Sequence, residues 1–313
     1  MSDGKSGEES HDLGVQLQGF EVLRRVSSWK ELVDCEVNLD SINQEWIFRG
    51  HSQASWSLDS TLERACTAHA INKDKIAEIE EDLLIDYWRY YDLHSVAPPP
   101  ADSDTLAWLS LMRHYGAPTR LTDFTRSLFI AAYFALEDAQ GESAIWAISK
   151  TWLTKCTHDL IGKMGDKTLL EDWGNRVGDA FDRIFFRFPP KRFVSAASPA
   201  KMHERLAIQQ SIFLCPGDVS ATFLDNLRAM EGWAQNVRPI VLSAGPARHE
   251  ILLKLMRIGI DRSSLFPGLE GFAQSMRSKI LVFKKLREME GRGSRLSPNI
   301  RWNTKRSPAA KAL

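Results

Sequence analysis

The stretch RHYGAPTRLTDFTRSLFIAAYFA, Arg113–Ala135, changes character half-way along. Gly116-Ala117-Pro118 is a turn signal. From about Arg126 the chain is apolar on nearly every face, which predicts a central helix buried all round rather than an amphipathic surface helix. Asp123 or Thr125 is placed to cap that helix by accepting a backbone N–H. The helix start carries a partial positive charge and free N–H donors. Arg120 and Arg126 add full charges beside it. A loop whose polar groups pin a core helix would explain Asp123 alone. The full set of His114, Tyr115, Thr119, Arg120, Asp123, Thr125 and Ser127 reads better as an anion site, with Tyr115 or His114 as a stacking or hydrogen-bonding face.

Two other segments supply walls for such a site. In EWIFRGHS, Trp46, Ile47 and Phe48 favour a strand that ends at Arg49-Gly50. A charge emerging from an apolar strand is costly unless it is paired or faces a cleft. Arg49 either pairs with a buried carboxylate such as Asp123 or grips a phosphate or carboxylate ligand. Gly50 permits close approach of backbone or ligand. In HERLAIQQSIFLCPG, Gln209 and Gln210 sit where a helix becomes a strand. Either could bond backbone or a polar ligand. Proton transfer in this segment would rest on Glu204.

Outward from these segments, strands are expected in GESAIWAISK, KRFVSAA, SIFLCPG and VRPIVLS. Helices are expected in VLRRVSSWKELVDCEVNL, SLDSTLERAC, DKIAEIEEDLLIDYWRYYDL, TLAWLSLMRHYG, SPAKMHERLAIQQ, ATFLDNLRAMEGW and PARHEILLKLMRIGI, with a last one from about Leu269 to Leu286. SVAPPPADSDT is a loop, since three prolines cannot continue a helix. The stretch 151–190 has weak periodicity and reads as an insertion over one face of the core. The fold class is α+β: a small mixed sheet with a central buried helix and surrounding helices. Residues 1–15 read as a disordered terminus, 16–286 as the domain, and 287–313 as a basic flexible tail. Lys284, Lys285, Arg287, Arg292, Arg295, Arg301, Lys305 and Arg306 make that end a candidate contact for nucleic acid or another anion.

Bulk properties narrow the function classes. The chain has 313 residues, with 40 basic and 40 acidic side chains, so whole-protein charge announces neither a nucleic-acid nor a membrane protein. The four cysteines are scattered without metal-site spacing, and no histidine joins Cys, Asp or Glu at ligand spacing, so no metal is expected. The longest apolar run, Leu128 to Leu136, falls far short of the ~20 residues of a membrane helix. The polar start has no signal-peptide core. A cytoplasmic protein that uses no membrane is expected. Phosphate-loop, dinucleotide, nucleophile-elbow and zincin motifs are absent.

The blocks WIFRGHSQASWSLDSTLER, LSLMRHYGAPTRLTDFTRSLFIAAYFAL, HERLAIQQSIFL and LMRIGIDRSSLFPGLEGFAQSM together resemble the FRG domain, named for Phe48-Arg49-Gly50. The resemblance covers roughly residues 40–280. It departs from the family pattern at Phe124, where tryptophan is frequent, and at Ser211, where glycine is frequent. It implies a bacterial or phage protein, in some cases part of a toxin or phage-defence system.

The order of elements also resembles ADP-ribosyltransferases of the arginine-serine-glutamate type. That resemblance implies NAD as cofactor, with Arg49 on its phosphates, Thr125-Arg126-Ser127 shaping the nicotinamide pocket and Gln209 or Gln210 near the ribose. No glutamate lies on the strand after Gln210, and Glu204 precedes it. Three readings stay open: an NAD-dependent ADP-ribosyltransferase-like enzyme, a non-catalytic nucleotide- or nucleic-acid-binding module, and a polar cluster with a purely structural role.

Overall fold

The computed structural model describes residues 16–40, 44–175 and 177–290. Two short strands, β1 (Gln16–Leu17) and β2 (Phe20–Glu21), form a hairpin beside β3 (Arg24–Val26). Helix α1 (Trp29–Asp40) follows, then β4 (Trp46–His51), α2 (Thr61–Ala68), α3 (Ile76–His94), α4 (Thr105–His114), β5 (Thr122–Thr125) and α5 (Leu128–Leu136). Next come β6 (Ser143–Ser149), α6 (Lys150–Lys163), α7 (Lys167–Asn175), α8 (Val177–Asp182) and a π-helical turn, Arg183–Arg187. The chain continues through β7 (Val194–Ala197), α9 (Glu204–Ile208), β8 (Ser211–Pro216), α10 (Phe223–Arg228), α11 (Trp233–Asn236) and β9 (Val237–Leu242). It ends in α12 (Pro246–Arg257), α13 (Arg262–Leu265) and α14 (Leu269–Glu290).

Seven strands form one mixed sheet in the order β3-β9-β6-β4-β5-β8-β7. Only the β3–β9 pairing is parallel. The α+β class with a mixed sheet therefore holds. Successive residues on a strand point to opposite faces, and β6 shows the result. Trp146 and Ile148 join one hydrophobic cluster, while Ile145 and Ala147 join another. The second cluster holds α5, which is buried along almost its whole length and packs on β4 and β6. This is the central helix that the apolar run predicts.

The cap of α5 is corrected. Ser127, not Asp123 or Thr125, accepts the Ile130 N–H at 3.3 Å. Thr125 accepts the Ser127 N–H at 3.1 Å and donates to the Gln209 carbonyl at 2.8 Å, so it ties β5 to the end of α9. The loop expected before α5 is a strand over Thr122–Thr125, hydrogen-bonded to β4 on one side and β8 on the other. The helix expected from Val22 starts at Trp29, because Arg24–Val26 pairs with β9 instead.

The stretch 151–190 is largely helical. It contributes Trp152, Leu153, Ile161, Leu169, Trp173, Phe181, Ile184 and Phe185 to the larger hydrophobic cluster. Residues 1–15 and 291–313, with Arg292, Arg295, Arg301, Lys305 and Arg306, lie outside the described residues. So do the side chains of Lys284, Lys285 and Arg287. Among the described residues, no helix is long and apolar enough to cross a membrane.

Candidate functional site

Strand β4 runs under α5 so closely that its third-last and second-last residues serve different partners. A Cβ on Gly50 would overlap the Ala131 carbonyl oxygen and meet Ala135 N at 2.6 Å. Glycine is needed there because helix backbone, not ligand, fills the space. Arg49 turns the other way, into a cavity of about 660 Å³. That volume suits a nucleotide-sized molecule.

The cavity is lined by strands, helices and a loop. Strand β4 gives Phe48, Arg49, Gly50 and His51, and the loop after it gives Ser52, Trp56, Ser57 and Asp59. Helices α2 and α4 give Arg64 and Arg113. Asp123, Phe124 and Thr125 come from β5 and Phe134 from α5. The α9–β8 junction adds Arg205, Gln209 and Ser211. Four guanidiniums thus face two carboxylates, an excess of two positive charges in a concave, partly apolar wall.

Arg49 is held in place from both sides. Its Nη1 donates to the Asp123 carbonyl oxygen at 2.7 Å and its Nε to His51 Nε2 at 3.0 Å. The other His51 nitrogen, Nδ1, lies 3.3 Å from the Trp56 carbonyl. One nitrogen therefore accepts while the other donates, and the ring is neutral. Burial first, then the Arg49 charge, pushes the His51 pKa down to about 3. Burial also lowers Arg49, to about 10, against the attraction of Asp123, so it stays charged at neutral pH.

The carboxylate of Asp123 belongs chiefly to Arg113. Arg113 Nε donates to Oδ2 at 2.8 Å and Nη2 to the same oxygen, while Arg49 Nη1 stands 3.9 Å away. The direct Arg49–Asp123 pair expected from sequence is therefore secondary. Burial acts to raise the Asp123 pKa, but Arg113 and Arg49 together hold it below the ordinary carboxylate value.

Of the candidate site residues, the cavity gathers Arg49, Gly50, Asp123, Thr125 and Gln209. Gln209 is buried and its Nε2 donates to the Leu265 carbonyl at 3.0 Å. The others are placed elsewhere. Arg120 is fully buried in an ion pair with Glu80 of α3, with its guanidinium against Phe186 and Phe185. Thr119 fastens the start of α2, its N–H donating to Thr61 Oγ1 at 3.1 Å. Ser127 caps α5. Gln210 takes a left-handed backbone (φ 48°) at the α9–β8 turn, and its carbonyl accepts the Arg126 N–H at 3.1 Å. Glu204 opens α9, exposed and away from the cavity lining.

His114 and Tyr115 also lie beyond the lining. His114 stacks on His203 with ring centroids 5.1 Å apart, and Tyr115, largely exposed, meets His114 edge-on. Of the aromatic residues that do line the cavity, Phe48, Trp56, Phe124 and Phe134, the most exposed is Trp56, half-exposed and edge-on to His51. Arg64, Arg113, Arg205, His51 and Trp56 were not anticipated as site residues. Trp56 and Arg64 lie within the same block as Phe48-Arg49-Gly50, and their shared block was the available signal. Among the described residues, no cluster of three or more His, Cys, Asp or Glu is placed to hold a metal ion.

Comparison with known proteins gives one family match. No curated protein and no solved structure matches the chain. Residues 44–144, the span from β4 through α5 that builds most of the cleft, match the family model of the FRG domain, so the chain carries an FRG domain over those residues.

Proposed function

We propose that the arginine-lined cleft of the FRG domain binds a phosphate-bearing nucleotide, with NAD as the ligand that the ADP-ribosyltransferase resemblance implies. One observation carries this reading. Four guanidiniums and the half-exposed Trp56 face a single cavity of about 660 Å³. Guanidiniums recognise phosphate oxygens through paired N–H donors, and an exposed indole offers a face on which a base can stack.

The geometry supports binding ahead of chemistry. ADP-ribosyl transfer would need a carboxylate opposite the ribose. Of the two that line the cleft, Asp123 is engaged by Arg113, and Asp59 sits in the loop before α2, where its backbone carbonyl accepts from Arg64; Glu204, the acid that sequence offered for proton transfer, stands off the cavity. A nucleotide-binding module suits the defence or regulatory setting that the FRG resemblance implies, and its ligand is available in the cytoplasm.

Calorimetric titration with NAD, ADP and adenosine tests the reading. NAD and ADP should bind and quench tryptophan fluorescence, adenosine should bind far more weakly, and Trp56→Ala should weaken NAD by about tenfold or more. Failure of both NAD and ADP to bind at millimolar concentration, or equal binding of adenosine, would overturn it. Incubation with labelled NAD and candidate macromolecules asks separately whether transfer occurs.

A further inference from the structure

The four arginines of the cleft differ in what they already hold. Arg49 spends two donors on the Asp123 carbonyl and His51. Arg113 directs Nε and Nη2 at the Asp123 carboxylate. Arg64 and Arg205 are different. Arg64 Nη1 donates to the Asp59 backbone carbonyl at 2.6 Å, which satisfies a donor but neutralises no charge. Arg205 lies with its guanidinium carbon 4.5 Å from the centre of the Phe266 ring. Contact with a ring face leaves the in-plane N–H groups open to a further acceptor. Among the described residues, neither side chain forms an ion pair with a carboxylate.

We infer that Arg64 and Arg205 are the pair that grips a dianionic phosphate group in the cleft, either a diphosphate bridge or a phosphomonoester, while Arg49 and Arg113 build the wall behind it. The inference rests on the nucleotide reading for the rest of the ligand, but not for the anion itself. The charge balance of the cavity favours it, since the two positive charges in excess match a ligand group of charge −2. Burial and the nearby Arg113 both push the charged forms of Arg64 and Arg205 uphill, which is relieved when an anion enters.

Arg205 is also held ready. Phe266 has a second cationic partner in Arg262, likewise 4.5 Å from the ring centre, and Arg262 is anchored by Glu137 at 2.8 Å and Gln274 at 2.7 Å. A guanidinium fixed by packing loses less freedom when it closes on a ligand.

The full chain, titrated with inorganic pyrophosphate, inorganic phosphate and NAD, provides the test. Arg64→Gln and Arg205→Gln should each weaken pyrophosphate by about tenfold or more, and the double variant should lose measurable binding. Both side chains are partly exposed, so melting temperatures should stay within about 2 °C of the parent. Arg89→Gln, on α3 outside the cavity, should bind like the parent. Tighter binding of pyrophosphate than of phosphate assigns the group to a diphosphate bridge, and the reverse assigns it to a monoester. A folded double variant that keeps pyrophosphate within threefold of the parent overturns the inference, as does a parent that binds neither inorganic anion. If instead pyrophosphate binding depends on the two arginines while NAD binds no tighter than pyrophosphate, the nucleotide reading fails and the clamp stands.

Discussion

His51 is buried with both ring nitrogens engaged, one accepting from Arg49 and the other donating to Trp56. Protonation would put a second charge beside Arg49 and break the bond that Arg49 donates. The folded-state pKa of about 3 lies below the ordinary histidine value of 6.5. Between those values the unfolded chain takes up a proton that the folded chain refuses. The stability tied to neutral His51 is therefore complete above about pH 6.5 and is lost as pH falls toward 3, by up to about 1.4 kcal/mol per pH unit. Urea midpoints measured from pH 7 to 4.5 should fall for the parent and fall less steeply for His51→Gln, whose amide oxygen can still accept from Arg49. Parallel profiles would assign the pH dependence to other groups. Arg49 was legible as a functional candidate because a charge ends an apolar strand. Arg113 and Arg205 were not, because each sits in the last turn of a helix, where a solvated arginine is ordinary. Only the tertiary fold turns them toward one space.

At the scale of elements, the contact between β4 and α5 sets the floor of the cleft. Ala131 and Ala135 let the helix descend onto Gly50, and the three small residues together bring helix backbone to strand backbone. Gly50→Ala must force the two elements apart, and overpacking of this kind costs about 1–3 kcal/mol. Chemical denaturation should show that loss, and an unchanged midpoint would mean that α5 moves without cost. Sequence made α5 plain, since nine successive residues from Leu128 to Leu136 offer no polar face. It concealed β5. Four residues of mixed polarity make no pattern of their own, and the strand exists because β4 and β8 hydrogen-bond to it from both sides. Arg120 was misplaced for a related reason. The acid that claims it, Glu80, lies 40 residues earlier on α3, and burial of both partners makes their pairing obligatory.

Over the whole molecule, the sheet separates two hydrophobic clusters yet belongs to both. Residues alternate between the clusters along β6, with Trp146 and Ile148 in one and Ile145 and Ala147 in the other. Neither cluster can be lost without unfolding a strand that the other needs. Unfolding in urea should therefore follow one curve, whether tracked by tryptophan fluorescence or by far-ultraviolet circular dichroism. Transitions that separate would show that one side of the sheet melts alone. A formal net charge of zero concealed the chemistry at this scale. The cationic excess of the cleft is assembled from residues 49, 64, 113 and 205, which no composition window brings together.

Trp56 takes part in the site twice. Its ring faces the cavity, while its own backbone carbonyl fixes the proton on His51. The loop that carries it is thereby geared to the sheet, from indole to carbonyl to imidazole to guanidinium to the backbone of β5. One residue thus braces two things at once: the mouth of the pocket and, through three hydrogen bonds in series, the strand that leads into α5.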